Sequence, residues 1–171
     1  VRSMLDISRL QDQGGIPEEK KTRFDIEECA GQVLITFEQK INAKNLNVQV
    51  DMPEHPVYTW ANQDYVTQVI YNLIDNAVKF TPDGGYIEVS SKADAEKVIV
   101  KIRNSGKGIP GEEIDKIFER FYKIDKSRSY DVKGAGMGLY LCKTIVELHG
   151  GQIIARSNPD EFTEFIFQLP L

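Results

Sequence analysis

The sequence predicts an α+β domain, and three observations carry that prediction. Segments with the apolar period of a helix alternate with short β-rich segments. At least two neighbouring pairs of those strands are joined by turns too short to hold a crossover helix, which favours an α+β layer over a purely parallel sheet. A length of 171 residues, 41% apolar and 27% charged, supports one domain with one sizeable core.

The elements follow in chain order. Val1, Met4, Leu5, Ile7 and Leu10 stand at mostly helical spacing, with Arg2, Asp6 and Arg9 between them. They read as the last turns of a helix whose earlier part precedes the sequence, and Gln13-Gly14-Gly15-Ile16-Pro17 stops it as a linker. A short strand is expected at Thr22 to Ile26. A helix follows from about Glu27 to Asn42, with Ala30, Val33, Leu34, Phe37 and Ile41 on one face. Alternation from Leu46 to Val50 gives a strand, and Val57 to Trp60 another. Asn62 caps a long helix that runs to about Phe80, where Thr81-Pro82-Asp83-Gly84-Gly85 ends it. Tyr86–Val89 and Val98–Ile102 form a hairpin across the polar stretch 91–97. A Gly-rich loop, a short helix from about Gly111 to Phe118, a Lys- and Ser-rich stretch, a helix from Met137 to His149 and two terminal strands complete the chain.

Composition excludes several functions. A net charge of -5 argues against a surface built to neutralise nucleic-acid phosphates. No window approaches the ~18 uninterrupted apolar residues of a membrane span, and the charged start is unlike a signal peptide, so this segment is expected to be soluble and cytoplasmic. Cys29 and Cys142 lie far apart without a CxxC or a nearby His, so neither a zinc site nor a disulfide framework is legible. His55 and His149 have no spaced ligand set around them and read as structural or surface residues.

Three motifs remain. Beside the buried stripe of the long helix, Asn72, Asn76 and Lys79 fall at i, i+4 and i+7, one polar row of two carboxamides and an ammonium. A carboxamide oxygen suits Mg²⁺, and a lysine meets phosphate oxygens, although such a row taken alone reads more readily as a solvated helix face. The second motif is Asn104-Ser105-Gly106-Lys107-Gly108-Ile109-Pro110, a strand running into glycines that let a ligand approach the backbone. The third is Lys133-Gly134-Ala135-Gly136-Met137-Gly138-Leu139 at the start of a helix, where freed amides and the helix dipole favour an anion.

The order and spacing of these motifs resemble the catalytic and ATP-binding domain of sensor histidine kinases, within the gyrase, heat-shock chaperone, kinase and MutL superfamily. The resemblance runs from about Thr22 to Leu171. Tyr71 to Pro82 is similar to the N box, Asn104 to Pro110 to the first Gly box, Phe118-Glu119-Arg120-Phe121-Tyr122 to the F box, and Gly134 to Leu139 to the second Gly box. Glu147 to Gly151, and Thr163 onward, resemble the closing segments. The resemblance implies a two-layer α/β sandwich, the Bergerat ATP-binding fold, with a mixed, mostly antiparallel sheet of about five strands packed under three helices. It implies ATP and Mg²⁺ as cofactors, Asn76 as the metal ligand, Lys79 as a phosphate contact, and Asn72 and Lys123 at catalytic positions. Nucleotide contacts would come from Asn72, Asn76, Lys79, Phe80, Asn104, Gly106, Gly108, Ile109, Phe121, Tyr122, Gly134, Gly136, Met137, Gly138, Leu139 and Thr163. Residues 1–15 would be the end of a dimerisation helix plus linker, and 16–171 the catalytic domain.

Four positions depart from the family pattern. Asn104 stands where the family has an Asp that accepts from the adenine amine, turning a charge-assisted bond into a neutral one at a cost of about 1 kcal/mol, roughly fivefold in affinity. Lys123 stands where many members have Arg, keeping the charge and losing the planar fork. Lys133 and Phe162 replace glycines. Residues 123–135 hold four cations (Lys123, Lys126, Arg128, Lys133) against Asp125 and Asp131, and read as a basic lid over a triphosphate.

The expected function is transfer of the γ-phosphoryl group to a His on a dimerisation domain outside this chain. The alternatives are a degenerate nucleotide-binding module that regulates a partner, or a serine-protein kinase of the same superfamily. Hydrolysis is disfavoured, since hydrolytic branches carry a water-activating Glu where this sequence has Asn72. Expected partners are the dimerisation and phosphoacceptor helices and a response regulator, with no nucleic acid and no membrane contact by this domain. The parent would be a homodimer, in some members membrane-anchored, and this segment mostly a monomer.

Overall fold

The computed structural model describes residues 4–122 and 138–171. Five helices are described: α1 (Met4–Asp12), α2 (Ile26–Thr36), α3 (Glu38–Ala43), α4 (Gln63–Phe80) and α5 (Gly138–Leu148). Seven strands accompany them: β1 (Thr22–Asp25), β2 (Asn47–Asp51), β3 (Tyr58–Ala61), β4 (Tyr86–Ala93), β5 (Lys97–Ser105), β6 (Gln152–Asn158) and β7 (Phe162–Pro170). The main sheet has the order β2-β4-β5-β7-β6, and β1 pairs with β3 in a separate two-stranded sheet. β2 runs parallel to β4, while the β4–β5, β5–β7 and β6–β7 pairs are antiparallel. The expected mixed, mostly antiparallel five-stranded sheet is therefore present. α4 packs on β5, α5 on β6 and β7, and α2 beside α4, with α1 resting on α5.

The period of two along the central strands builds the core and ends it at a chosen place. On β5 the buried residues are Val98, Val100, Ile102 and then Asn104; on β7 they are Leu169, Phe167, Phe165 and then Thr163. These pair across the sheet as Val98↔Leu169, Val100↔Phe167, Ile102↔Phe165 and Asn104↔Thr163. One face of the sheet is thus apolar until its last rung, where a carboxamide and a hydroxyl replace hydrocarbon. On the opposite face Glu164 is buried under Arg103, whose Nε and Nη2 each donate to Glu164 Oε1 at 3.0 Å.

Local chemistry sets the helix ends. Asn62 Oδ1 accepts from Tyr65 N–H at 3.0 Å, the N-cap that the sequence predicts for α4. At its other end Lys44 Nζ donates to the Val78 carbonyl at 2.6 Å, placing a cation on the negative end of the dipole. α5 closes in a Schellman motif, with Gly150 N–H on Glu147 O and Gly151 N–H on Val146 O, both at 2.9 Å. Gly150 takes φ +77° there, the left-handed residue that motif requires.

Two expected helices differ in the structure. The single helix from about Glu27 to Asn42 is broken into α2 and α3 at Phe37, which adopts φ -94°, ψ 6°. Thr36 Oγ1 donates to the Gln32 carbonyl, a back-bond that bends helices, and the buried Phe37 ring packs on Tyr71 at 4.9 Å. The expected helix from Gly111 to Phe118 is instead a chain of turns, with i to i-3 bonds closing at Glu113, Lys116, Glu119 and Tyr122. Gly111 is a poor helix former, and a segment this short does not recover the cost of nucleation.

His149 is structural, as the sequence suggests. It is buried, its Nε2 accepts from Asn62 N–H at 3.1 Å, and its Nδ1 faces the Ile145 carbonyl at 2.8 Å, which fixes the neutral ring with Nδ1 protonated. Burial, the larger influence, holds its pKa below the ordinary 6.5. Below about pH 6.5 the unfolded chain takes up a proton that the folded chain resists, so this contribution is complete above that pH and is lost as pH falls. The drop in melting temperature between about pH 7.5 and pH 5.5 should shrink in a His149→Gln variant, as read by thermal denaturation.

Candidate functional site

The polar rung at the end of the core stripe opens into a cavity of about 780 Å³, within the range of small-molecule sites. Its walls come from α4 (Asn76, Phe80), the end of β5 (Asn104), the loop after β5 (Lys107 to Glu113), the β6–β7 turn (Pro159, Asp160) and the start of β7 (Thr163, Phe165). Buried Ile109 and Phe165 give it an apolar floor, while Asn76, Asn104 and Thr163 supply polar groups.

The loop after β5 is held by the β6–β7 corner. Ile109 N–H donates to Ser157 Oγ at 2.7 Å, and that hydroxyl donates onward to the Phe162 carbonyl at 2.9 Å. Gly106 N–H reaches Glu161 O at 3.2 Å, and Asp160 N–H reaches Lys107 O at 2.8 Å. Gly108 makes this approach feasible: its φ is +77°, and a Cβ there would lie 2.5 Å from Ser157 Oγ and 3.1 Å from Asn158 O. A Gly108→Val variant should lose about 2 kcal/mol of stability through strain and overlap. Denaturant unfolding checks the loss.

The predicted polar row on α4 divides among three environments. Asn76 is half-buried on the cavity wall, and its carboxamide makes no side-chain hydrogen bond with the described residues. Asn72 is half-buried and near the Cys142 thiol of α5, which itself donates to the Val69 carbonyl at 3.8 Å. Burial pushes that thiol up to about 12, so Cys142 is inert packing in the α4–α5 seam. Lys79 Nζ pairs with Asp75 Oδ2 at 3.1 Å, one turn back. An exposed pair of this kind is worth little, so the ammonium is readily redirected.

Asn104 is 5% exposed and its Nδ2 donates to the Ser105 carbonyl at 3.0 Å. Gly106, Gly108 and Ile109 follow it in the loop, and Thr163 stands across the sheet from it. The structure thus gathers Asn76, Phe80, Asn104, Gly108, Ile109 and Thr163 around one space, with Gly106 beside them. Phe121 and Tyr122 lie at the end of the turns that leave it. Phe121 is 65% exposed with φ +67°, an uncommon conformation for an aromatic residue. The Tyr122 hydroxyl is buried and faces Glu113 without reaching ordinary hydrogen-bond geometry. Burial and the adjacent carboxylates push its pKa up to about 12. Gly138 and Leu139 open α5, and Leu139 is buried in the core. Lys123, Gly134, Gly136 and Met137, with the basic stretch 123–135, lie outside the described residues.

Lys107, Glu112, Glu113, Pro159, Asp160 and Phe165 line the cavity without having been named as contacts from the sequence. Phe165 was within reach, because residues two apart on a strand share a face and Thr163 was already named. Pro159 and Asp160 read locally as a turn; that the turn meets this loop depends on the β5-β7-β6 order.

A Mg²⁺ ion keeps several waters and takes one or two protein ligands beside phosphate. The unengaged Asn76 carboxamide fits that need. Among the described residues no group of three His, Cys, Asp or Glu is placed to hold a metal ion, and no helix is long and apolar enough to cross a membrane.

Residues 61–171 match the family model for histidine kinase-, DNA gyrase B-, and HSP90-like ATPases. Sensor protein SrrB of Staphylococcus aureus (strain MRSA252) is 33% identical over 170 residues, 99% of this chain and 29% of its own length. Sensor histidine kinase WalK of Bacillus subtilis (strain 168) is 37% identical over 122 residues, 70% of this chain and 20% of its own. The chain therefore spans less than a third of either relative. The catalytic domain of histidine kinase ThkA superposes with a TM-score of 0.78 at 31% identity, covering 88% of this chain and 95% of that one. A structure of ThkA in complex with response regulator protein TrrA gives a TM-score of 0.75 at 30% identity, covering 88% of this chain and 41% of that one.

Proposed function

Given that the chain belongs to the histidine kinase-, DNA gyrase B-, and HSP90-like ATPase family, we propose that it is the ATP-binding catalytic domain of a two-component sensor histidine kinase. In this reading it binds ATP with Mg²⁺ and passes the γ-phosphoryl group to a His on a dimerisation domain outside residues 1–171. The observation that carries the reading is the convergence of Asn76 from α4 with Asn104 and Thr163 from the last rung of the sheet on one apolar-floored cavity.

Ile109 and Phe165 would hold the purine, with Asn104 and Thr163 for its polar edge and Phe80, Gly106 and Gly108 beside it. On α4, Asn76 would hold the metal, and Lys79 would leave Asp75 for a phosphate oxygen. When bound, Mg²⁺ neutralises developing charge on the transferred group. Asn72 and Lys123 are assigned to the reacting end, Phe121 and Tyr122 to its flank, and Gly134, Gly136, Met137, Gly138 and Leu139 to the phosphate cradle at the start of α5. Phosphoryl transfer depends on positioning and charge neutralisation, so no covalent role falls to this chain.

Residues 1–15 are assigned to the end of the dimerisation helix and its linker, and 16–171 to the catalytic domain. The parent acts in the cytoplasm as a homodimer and serves a response regulator, a partner of the kind named in the ThkA–TrrA complex. Mixing this chain with labelled ATP, Mg²⁺ and a separately supplied dimerisation domain tests the reading. Acid-labile, base-stable phosphate on the acceptor supports it. Acid-stable phosphoserine on a partner, or binding without transfer, contradicts it.

A further inference from the structure

A row of three polar side chains closes the core where the sheet meets the cavity. Asn104 on β5 stands opposite Thr163 on β7, and Thr163 stands opposite Ser157 on β6. Asn104 and Thr163 line the cavity, and Ser157 does not. A serine hydroxyl has one hydrogen to donate and lone pairs that accept. That of Ser157 donates to the Phe162 carbonyl at 2.9 Å and accepts from the Ile109 N–H at 2.7 Å. One hydroxyl thus joins Ile109, which floors the cavity, to the residue that precedes Thr163. Gly106 N–H and the Lys107 carbonyl also bond to the β6–β7 turn, but only the Ser157 bond reaches the floor residue itself.

We propose that Ser157 is a positioning residue for the purine, setting the separation between the Ile109 floor and the Asn104–Thr163 edge without touching the nucleotide. The inference rests on the reading of this cavity as a purine nucleotide site. A planar base meets an apolar floor and a polar edge together only while those two stay in fixed relation. Without the hydroxyl, the Ile109 N–H and the Phe162 carbonyl each lose this partner, and the loop shifts to satisfy them. The order that the hydroxyl supplies in advance must then be supplied on binding, which weakens affinity. A residue that only stabilised the strand corner would lower the melting temperature and leave the affinity of the folded protein unchanged.

Calorimetric titration with ADP, with and without Mg²⁺ and well below the melting temperature, tests the proposal on Ser157→Ala, Ser157→Thr and Ser157→Val. Ser157→Ala should bind ADP about tenfold more weakly than the unaltered chain, by the same factor with and without the metal, because Asn76 on α4 is untouched. Threonine and valine share a shape and differ in the hydroxyl, so Ser157→Thr should bind ADP roughly fivefold or more tighter than Ser157→Val. A Ser157→Ala protein that melts lower yet binds ADP within about twofold of the unaltered chain overturns the inference alone. So does weakening confined to the Mg²⁺ arm, or equal affinity in the Thr and Val variants. Hydrogen exchange in the unaltered chain needs no variant: the Ile109 amide should be protected before nucleotide is added. If that amide exchanges freely until ADP binds, the ligand and not Ser157 orders the floor, and the inference falls. Absence of ADP binding by the unaltered chain defeats the parent reading and this inference with it.

Discussion

An Asn76→Ala variant should fold normally and lose the Mg²⁺-dependent part of nucleotide binding, with phosphoryl transfer falling by on the order of 10²–10³-fold. Asn76 lies within the 18-residue helix α4, where Ala is the better helix former by about half a kcal/mol, so the helix itself is not weakened. Its carboxamide makes no side-chain bond with the described residues, so its removal strands no protein partner. What disappears is the one protein oxygen assigned to the metal, and a metal that neutralises phosphoryl charge is worth several kcal/mol in the transition state. Binding of ADP without Mg²⁺, which the proposed reading assigns to Asn104 and Thr163, should change by no more than about twofold. Equal weakening with and without the metal would remove Asn76 from the metal site.

The largest structural effect is expected from Gly151→Ala. A Cβ at Gly151 would lie 2.0 Å from the carbonyl oxygen of Gln168 and 3.2 Å from Val146 Cγ1. That oxygen belongs to β7, which is paired with both β5 and β6, so it cannot yield without disturbing two ladders. Destabilisation of about 3 kcal/mol should follow, lowering the melting temperature by roughly 6–12 °C. Gly31→Ala is the matched control. Its Cβ would meet nothing within 4 Å inside α2, so that variant should gain about half a kcal/mol.

What the sequence discloses depends on how local the cause is. The span of α4, its Asn62 cap and the strands on either side of it follow from signals a few residues apart, and the structure repeats them. The break at Phe37 was not legible, because it combines a weak local back-bond from Thr36 with a ring drawn toward Tyr71 on another helix. The site shows the same division. Asn76, Asn104 and Thr163 stand in separate motifs, and only the Asn104↔Thr163 register and the packing of α4 on β5 make them neighbours. Helical spacing puts Asn72 and Asn76 on one row. It does not show that only Asn76 of the two lines the cavity, which requires knowing where the loop after β5 lies.

Titration of this chain with an ATP analogue bearing a non-hydrolysable β,γ bridge, with and without Mg²⁺ and beside Asn104→Asp, is the most direct test that the cavity is a nucleotide site. Binding in the micromolar to sub-millimolar range that requires Mg²⁺, and that tightens roughly fivefold in Asn104→Asp, is the expected result. No heat from either protein, at concentrations where such affinities saturate, would contradict nucleotide binding by this chain.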